Sequence, residues 1–171
     1  YKCIVLWRNT FRWKWCGVAH TIVKCLDKPQ YETSEELVCS DVYLHSRDTG
    51  SRSIDPLKYF KDGQRLEKQF FDTLYDDPDG LNDRSVFYTA QSYLDAKEYE
   101  LALKWYSLYI KLKYTWIEQV FESHLRIARI LIELKKPYEE IKFHIGKAIQ
   151  IFNDRAEPYF ILGKHCNYIN K

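Results

Sequence analysis

The 171-residue sequence contains no methionine. A native full-length chain begins with Met, so the sequence reads as a fragment or a processed product. Long apolar runs are also missing. None approaches the ~20 residues of a membrane-spanning helix, and no secretory signal opens the chain. The five cysteines, Cys3, Cys16, Cys25, Cys39 and Cys166, are odd in number and form no CxxC. That spacing argues against a zinc site or a dense disulfide framework. Buried thiols in a reducing, cytoplasmic setting are the simpler reading. A charge bias is absent too: the net charge is +2. Residues 1–80 carry 12 basic and 13 acidic groups, and residues 81–171 carry 14 and 11. Neither half has the basic excess of a nucleic-acid binder. There is no phosphate-cradling glycine loop, no GxSxG elbow and no HExxH, so those enzyme classes have no support.

What the chain does have is bulk. Aromatic residues make up 16%, with 14 Tyr and 9 Phe, and hydrophobic residues make up 46%. Such a composition predicts a folded protein with a core of large side chains. Residues 3–8 form an apolar, β-prone run. Residues 13–25 are β-branched and aromatic, and predict a strand pair or a strand bent at Gly17. Leu37 to His45 favours another strand, and Ser46 to Asp55 a loop around Gly50.

A helix is expected next. Asp55 is a plausible N-cap and Pro56 suits the first helical position. Leu57, Phe60, Leu66, Phe70, Phe71 and Leu74 keep roughly helical spacing. Gly63 should weaken this helix by up to ~1 kcal/mol. Asp76-Asp77-Pro78-Asp79-Gly80 reads as the turn that ends it.

From Asn82 onward one helix-turn-helix unit is written twice and then begun again. Ala90, Tyr93, Ala102 and Tyr106 hold small and aromatic positions in the first unit. Ala128, Leu131, Ile145 and Ala148 hold them in the second, which needs one extra residue near Lys136-Pro137. Ala156, Tyr159, Leu162 and Gly163 start a third. The small residues Ala90, Ala128 and Gly163 recur after 38 and 35 residues. That is close to the ~34-residue period of tetratricopeptide repeats. In such arrays the first helix of each hairpin lines a groove. Tyr88, Gln91, Arg126, Arg129, Lys164 and Asn167 take the groove-facing positions, a set suited to an anionic or polar partner. Alternatively, the cations pair with Glu122, Glu133 or Glu157 along their own helices.

Other candidate residues are few. His20 is either a structural histidine or a metal ligand at a strand end. His45 and His124 have weaker cases. Arg47, Arg52 and Lys58 flank the Gly50 loop, which either closes over a phosphate or is a solvated surface loop.

Several of these segments together resemble family 2 glycosyltransferases. Trp7-Arg8-Asn9 and Trp13-Lys14-Trp15-Cys16-Gly17-Val18-Ala19-His20 are similar to the last catalytic-domain segment of that family. Gly50-Ser51-Arg52-Ser53, Asp55-Pro56, Lys58 and Asp62 resemble the loop and helix that follow. Asp83 to Tyr93, Trp116 with Glu118, and Ile127-Ala128-Arg129 look like the tetratricopeptide region fused to some members in bacteria and large DNA viruses. The resemblance implies that His20 stands near the metal and diphosphate of a nucleotide-sugar donor. It implies that Trp15 borders the donor or acceptor pocket, and that Arg52 and Lys58 belong to the closing loop. A divalent metal, Mn or Mg, would serve the full-length enzyme. Two departures stand out. Thr21 follows His20 where members often have an acidic residue. The Asp-x-Asp motif of the nucleotide-binding half has no counterpart, because Asp76-Asp77-Pro78-Asp79 reads as a turn.

The expected fold class is mainly α, or α+β overall. A tetratricopeptide-like array of antiparallel helix hairpins follows a small β-containing remnant of a catalytic domain. The expected boundaries are 1–54 for the β-rich remnant, 55–80 for a linking helix and turn, and 81–171 for the repeats. The expected function is the C-terminal portion of a nucleotide-sugar-dependent glycosyltransferase, with the array recruiting a protein or glycan acceptor. No catalytic residue is assigned, and this chain alone should bind neither metal nor donor and be inert. A non-catalytic interaction scaffold is the alternative.

Overall fold

The computed structural model describes residues 10–27, 54–113 and 115–169, with side chains as far as Lys164. The strands expected at 3–8 and 37–45 lie outside the described residues. The chain divides into two compact units, Tyr1–Asp55 and Pro56–Lys171. Among the described residues it is mostly helical, with a small two-stranded sheet.

In the first unit, β1 (Trp13–Cys16) and β2 (Ile22–Cys25) pair antiparallel. Trp13 stands opposite Cys25, and Trp15 opposite Val23. Gly17 turns the chain out of β1 with φ 93, a conformation that favours glycine. The expected strand pair therefore forms, with the bend where Gly17 allows it. Past the end of β2, Asp27 accepts hydrogen bonds from the Arg12 backbone at 2.6 Å and from Arg12 Nε at 2.8 Å. Those bonds to Arg12, the backbone one first, hold the Asp27 carboxyl below the usual carboxylate range.

The second unit holds α1 (Lys58–Asp72), α2 (Asn82–Asp95), α3 (Tyr99–Tyr109), α4 (Ile117–Glu133), α5 (Tyr138–Ile151) and α6 (Glu157–Ile169). The start of α1 differs from the expectation. Pro56 and Leu57 form a turn, and Leu57 rather than Asp55 takes the cap position. The apolar stripe of α1 is also narrower than its spacing predicts. Leu66 is buried and Phe60 and Phe70 are partly buried, but Leu57, Phe71 and Leu74 are exposed.

Helix α1 packs along α2. The Tyr93 hydroxyl donates to Glu67, and Gln69 Nε2 donates to Ser85 Oγ at 2.8 Å. Thr73 and Asn82 exchange two further bonds at the turn. Asp77 accepts from the backbone N–H of Leu81 and Asn82 at 2.9 and 2.8 Å. It so satisfies donors that a helix start leaves open. The acidic run 76–79 is thus a turn whose second aspartate caps α2.

Two successive hairpins follow, α2 with α3 and α4 with α5, and they repeat in detail. Ala90 and Ala128 are both fully buried, 38 residues apart. So are Phe87 and Leu125, and Tyr93 and Leu131, to within a few per cent. Each first helix ends in the same way. Lys97 and Lys135 adopt φ 62 and 52. Glu98 N–H bonds Tyr93 C=O, and Lys136 N–H bonds Leu131 C=O, both at 2.9 Å. These are two Schellman endings with lysine where glycine is usual. The second helices are offset by 39: Ala102 and Ile141, Tyr106 and Ile145, Tyr109 and Ala148 are all buried. The additional residue is Pro137, just before α5. One continuous core runs from Val86 in α2 to Ile161 in α6.

Candidate functional site

Of the residues expected to face a groove, Tyr88 and Gln91 lie on α2, Arg126 and Arg129 on α4, and Lys164 and Asn167 on α6. Tyr88 and Gln91 on α2 are half-buried. Their equivalents 38 residues later on α4 are Arg126, half-buried, and Arg129, exposed. Lys164 is exposed on α6. Asn167 also belongs to α6, but its side chain lies outside the described ones. The 38-residue offset therefore changes an aromatic and an amide into two guanidinium groups.

Each charge has a definable environment. Arg84 stacks its guanidinium 4.5 Å from the centre of the Tyr88 ring, a contact worth about 0.5–1 kcal/mol at an exposed site. Arg126 Nε lies 3.4 Å from Glu122, a long contact between two partly exposed groups. A pair of that kind contributes at most about 0.5 kcal/mol. Arg129 and Lys164 enter no salt bridge among the described residues. Glu157 is not available to them as a close partner. Arg155 holds it through three hydrogen bonds, the shortest 2.5 Å. Those bonds keep the Glu157 carboxyl below its ordinary range. The same guanidinium reaches Glu118 at 3.6 Å and lies 4.9 Å from the Phe121 ring. Arg155 thus ties the start of α4 to the start of α6. Arg126 pairs along its helix in part, and the charge of Arg129 also acts on Glu157.

Of the positions expected to serve a nucleotide-sugar, Trp15 and His20 belong to the first unit and Lys58 to the second. Trp15 is 62% exposed on β1. His20 is exposed in the loop between the strands, with φ 49, rather than within a strand. Lys58 begins α1 in the other unit, with Nζ 5.0 Å from the Tyr59 ring centre. Arg52 lies outside the described residues. A divalent cation needs several oxygen or imidazole ligands. Among the described residues no group of three or more His, Cys, Asp or Glu side chains comes together for one.

Three features escaped the sequence reading. Gly63 is a contact residue. Arg155 is a cross-link between α4 and α6. His124 has a partner, His144, with Nδ1 atoms 2.9 Å apart. Spacing along one helix signals none of them, because each depends on a neighbour in another helix or turn.

The basic face can hold carboxylates or phosphates by charge-assisted hydrogen bonds. No helix among the described residues is long and apolar enough to cross a membrane. Comparison of the chain with protein-family models, with curated proteins and with solved structures yields no match.

Proposed function

We propose that this chain is the C-terminal portion of a nucleotide-sugar-dependent glycosyltransferase, in which tetratricopeptide-like hairpins recruit a protein or glycan acceptor. The observation that carries the recruiting role is the recurrence of one hairpin after 38 residues. It puts Tyr88 and Gln91, then Arg126 and Arg129, at equivalent points of successive helices. A stepped row of this kind suits an extended, anionic or polar partner. The transfer chemistry rests on the ordered resemblance of residues 7–20, 50–62 and 83–129 to family 2 enzymes. In the whole enzyme Trp15 would border the sugar pocket, and Arg52 and Lys58 would meet the donor. His20 would need ligands from elsewhere to hold Mn or Mg.

The test uses the natural protein from its source. Its intact mass should exceed 20.6 kDa, and the added sequence should carry Asp-x-Asp after a β-strand. Donor hydrolysis and acceptor transfer are then compared with the Arg126→Glu/Arg129→Glu/Lys164→Glu variant. Donor hydrolysis should be unchanged, while KM for the acceptor should rise about tenfold or more. A mass equal to this chain would sink the transferase reading. It would favour a non-catalytic interaction scaffold. An unchanged acceptor KM would sink the recruiting role.

A further inference from the structure

The second hairpin contains a polar pair where the first is apolar. His124 on α4 and His144 on α5 face each other with Nδ1 atoms 2.9 Å apart and ring centres 5.2 Å apart. Their counterparts in the first hairpin, by the 38- and 39-residue offsets, are Val86 and Trp105, both buried. His124 is itself only 7% exposed. The ring of Phe143 stands edge-on to His144 at 5.2 Å. Burial of an imidazole at a helix interface is tolerated when its nitrogens are bonded. Here each ring's Nδ1 finds its partner in the other ring.

We propose that the His124–His144 pair is an acid-triggered latch that closes α4 on α5 when neutral and drives them apart when both rings are charged.

The proton count gives the mechanism. A hydrogen bond between two Nδ1 atoms needs one proton between them. In the neutral pair one ring carries its hydrogen on Nδ1 and donates. The other carries its hydrogen on Nε2 and accepts. A first added proton goes to the free Nε2 of the donating ring, leaving one hydrogen between the two Nδ1 atoms and the bond intact. A second puts a hydrogen on both Nδ1 atoms and two positive charges at hydrogen-bond distance. The bond is then lost and the charges repel.

The surroundings resist protonation. Burial, then His144, then Lys147 push His124 down to about 4. Burial also lowers His144, against the opposing charge of Glu140. Lys147 and Glu140 both lie on α5. No charged group of α3, α4 or α6 acts on either ring among the described residues. Both histidines thus prefer to be neutral when folded, and the unfolded chain binds more protons. The contribution to stability is complete above the unfolded value of about 6.5. It is lost as pH falls from there toward about 4.

Helix α4 also carries Arg126 and Arg129, so an open latch would disturb the groove. That consequence rests on the recruiting role; the latch does not.

The experiment compares denaturant unfolding of the parent and of His124→Gln/His144→Gln from pH 7.5 to pH 4.5. Glutamine keeps a donor and an acceptor but does not titrate. The parent's folding constant should fall relative to the variant by up to about tenfold per pH unit for each histidine. Parallel curves would overturn the latch. Nitrogen-15 spectra of the parent's imidazoles provide the second measurement, and they do not depend on the variant folding. One ring protonated on Nδ1 and its partner on Nε2 at neutral pH, both resisting charge below pH 6, is the expected result. Two rings that titrate near pH 6.5 would refute the proposal.

Discussion

Gly63 on α1 faces the ring of Tyr93 on α2 so closely that a Cβ there would lie 2.9 Å from Tyr93 Cε1. The ring has little freedom to yield, because Tyr93 is 2% exposed and its hydroxyl is bound to Glu67. Helix propensity favours Gly63→Ala by up to ~1 kcal/mol. Overpacking opposes it by about 1–3 kcal/mol. The clash wins, so Gly63→Ala should lower stability and Gly63→Ser should lower it further. Thermal denaturation of both reads this, and a raised Tm for Gly63→Ala would show that Tyr93 moves aside.

Ala90 and Ala128 are the fully buried small residues of the two first helices. Ala90→Trp or Ala128→Trp should open its hairpin, since a large ring at a close helix contact costs about 1–3 kcal/mol or more. Circular dichroism through a thermal scan checks it. A variant that melts with the parent would refute the shared register.

Lys97 and Lys135 end α2 and α4 in the left-handed region. An L-residue there costs roughly 1–2 kcal/mol, which glycine avoids. Lys97→Gly and Lys135→Gly should each stabilise the fold by only up to about 1 kcal/mol, because glycine's extra freedom when unfolded offsets part of that gain. Urea midpoints measure this, and a loss of stability in both would mean that the two lysines contribute through their side chains.

Alkaline pH should weaken the array. Burial raises the hydroxyls of Tyr93 and Tyr106 above the ordinary tyrosine value, and pushes Tyr109 up to about 12. A raised folded value means stability is complete below the unfolded value of about 10. It is lost as pH climbs through the folded values. The Tyr106 hydroxyl is buried without a hydrogen-bond partner among the described residues. Tyr106→Phe should therefore be neutral or stabilising by about 1 kcal/mol at pH 7, and should soften the alkaline loss. Denaturation at pH 7 and pH 11 would test both parts. A variant clearly weaker than the parent at pH 7 would show that the hydroxyl is bonded.

The strand pair around Gly17, the turn at Asp77 and the helix pairs from Asn82 onward were all legible in the sequence. Strand alternation, turn residues and small residues at repeat spacing are local signals that follow from backbone geometry. The additional residue near Pro137 was legible for the same reason. The start of α1 was not, because Asp55-Pro56 is an equally good turn and α1 is fixed by its packing on α2. The equivalence of Tyr88 and Gln91 to Arg126 and Arg129 could be read from the repeat spacing. Their pairing could not, since Arg155 takes Glu157 across a turn.

The sequence by itself determined where helices and strands begin to be possible, and which helix faces repeat. Those properties depend on residues within a few positions of one another. Only the tertiary structure decided that Gly63 is a contact, that Arg155 takes Glu157, and that His124 meets His144. Each of these depends on how close two separate elements come, and close packing sets that distance only when the whole core is assembled.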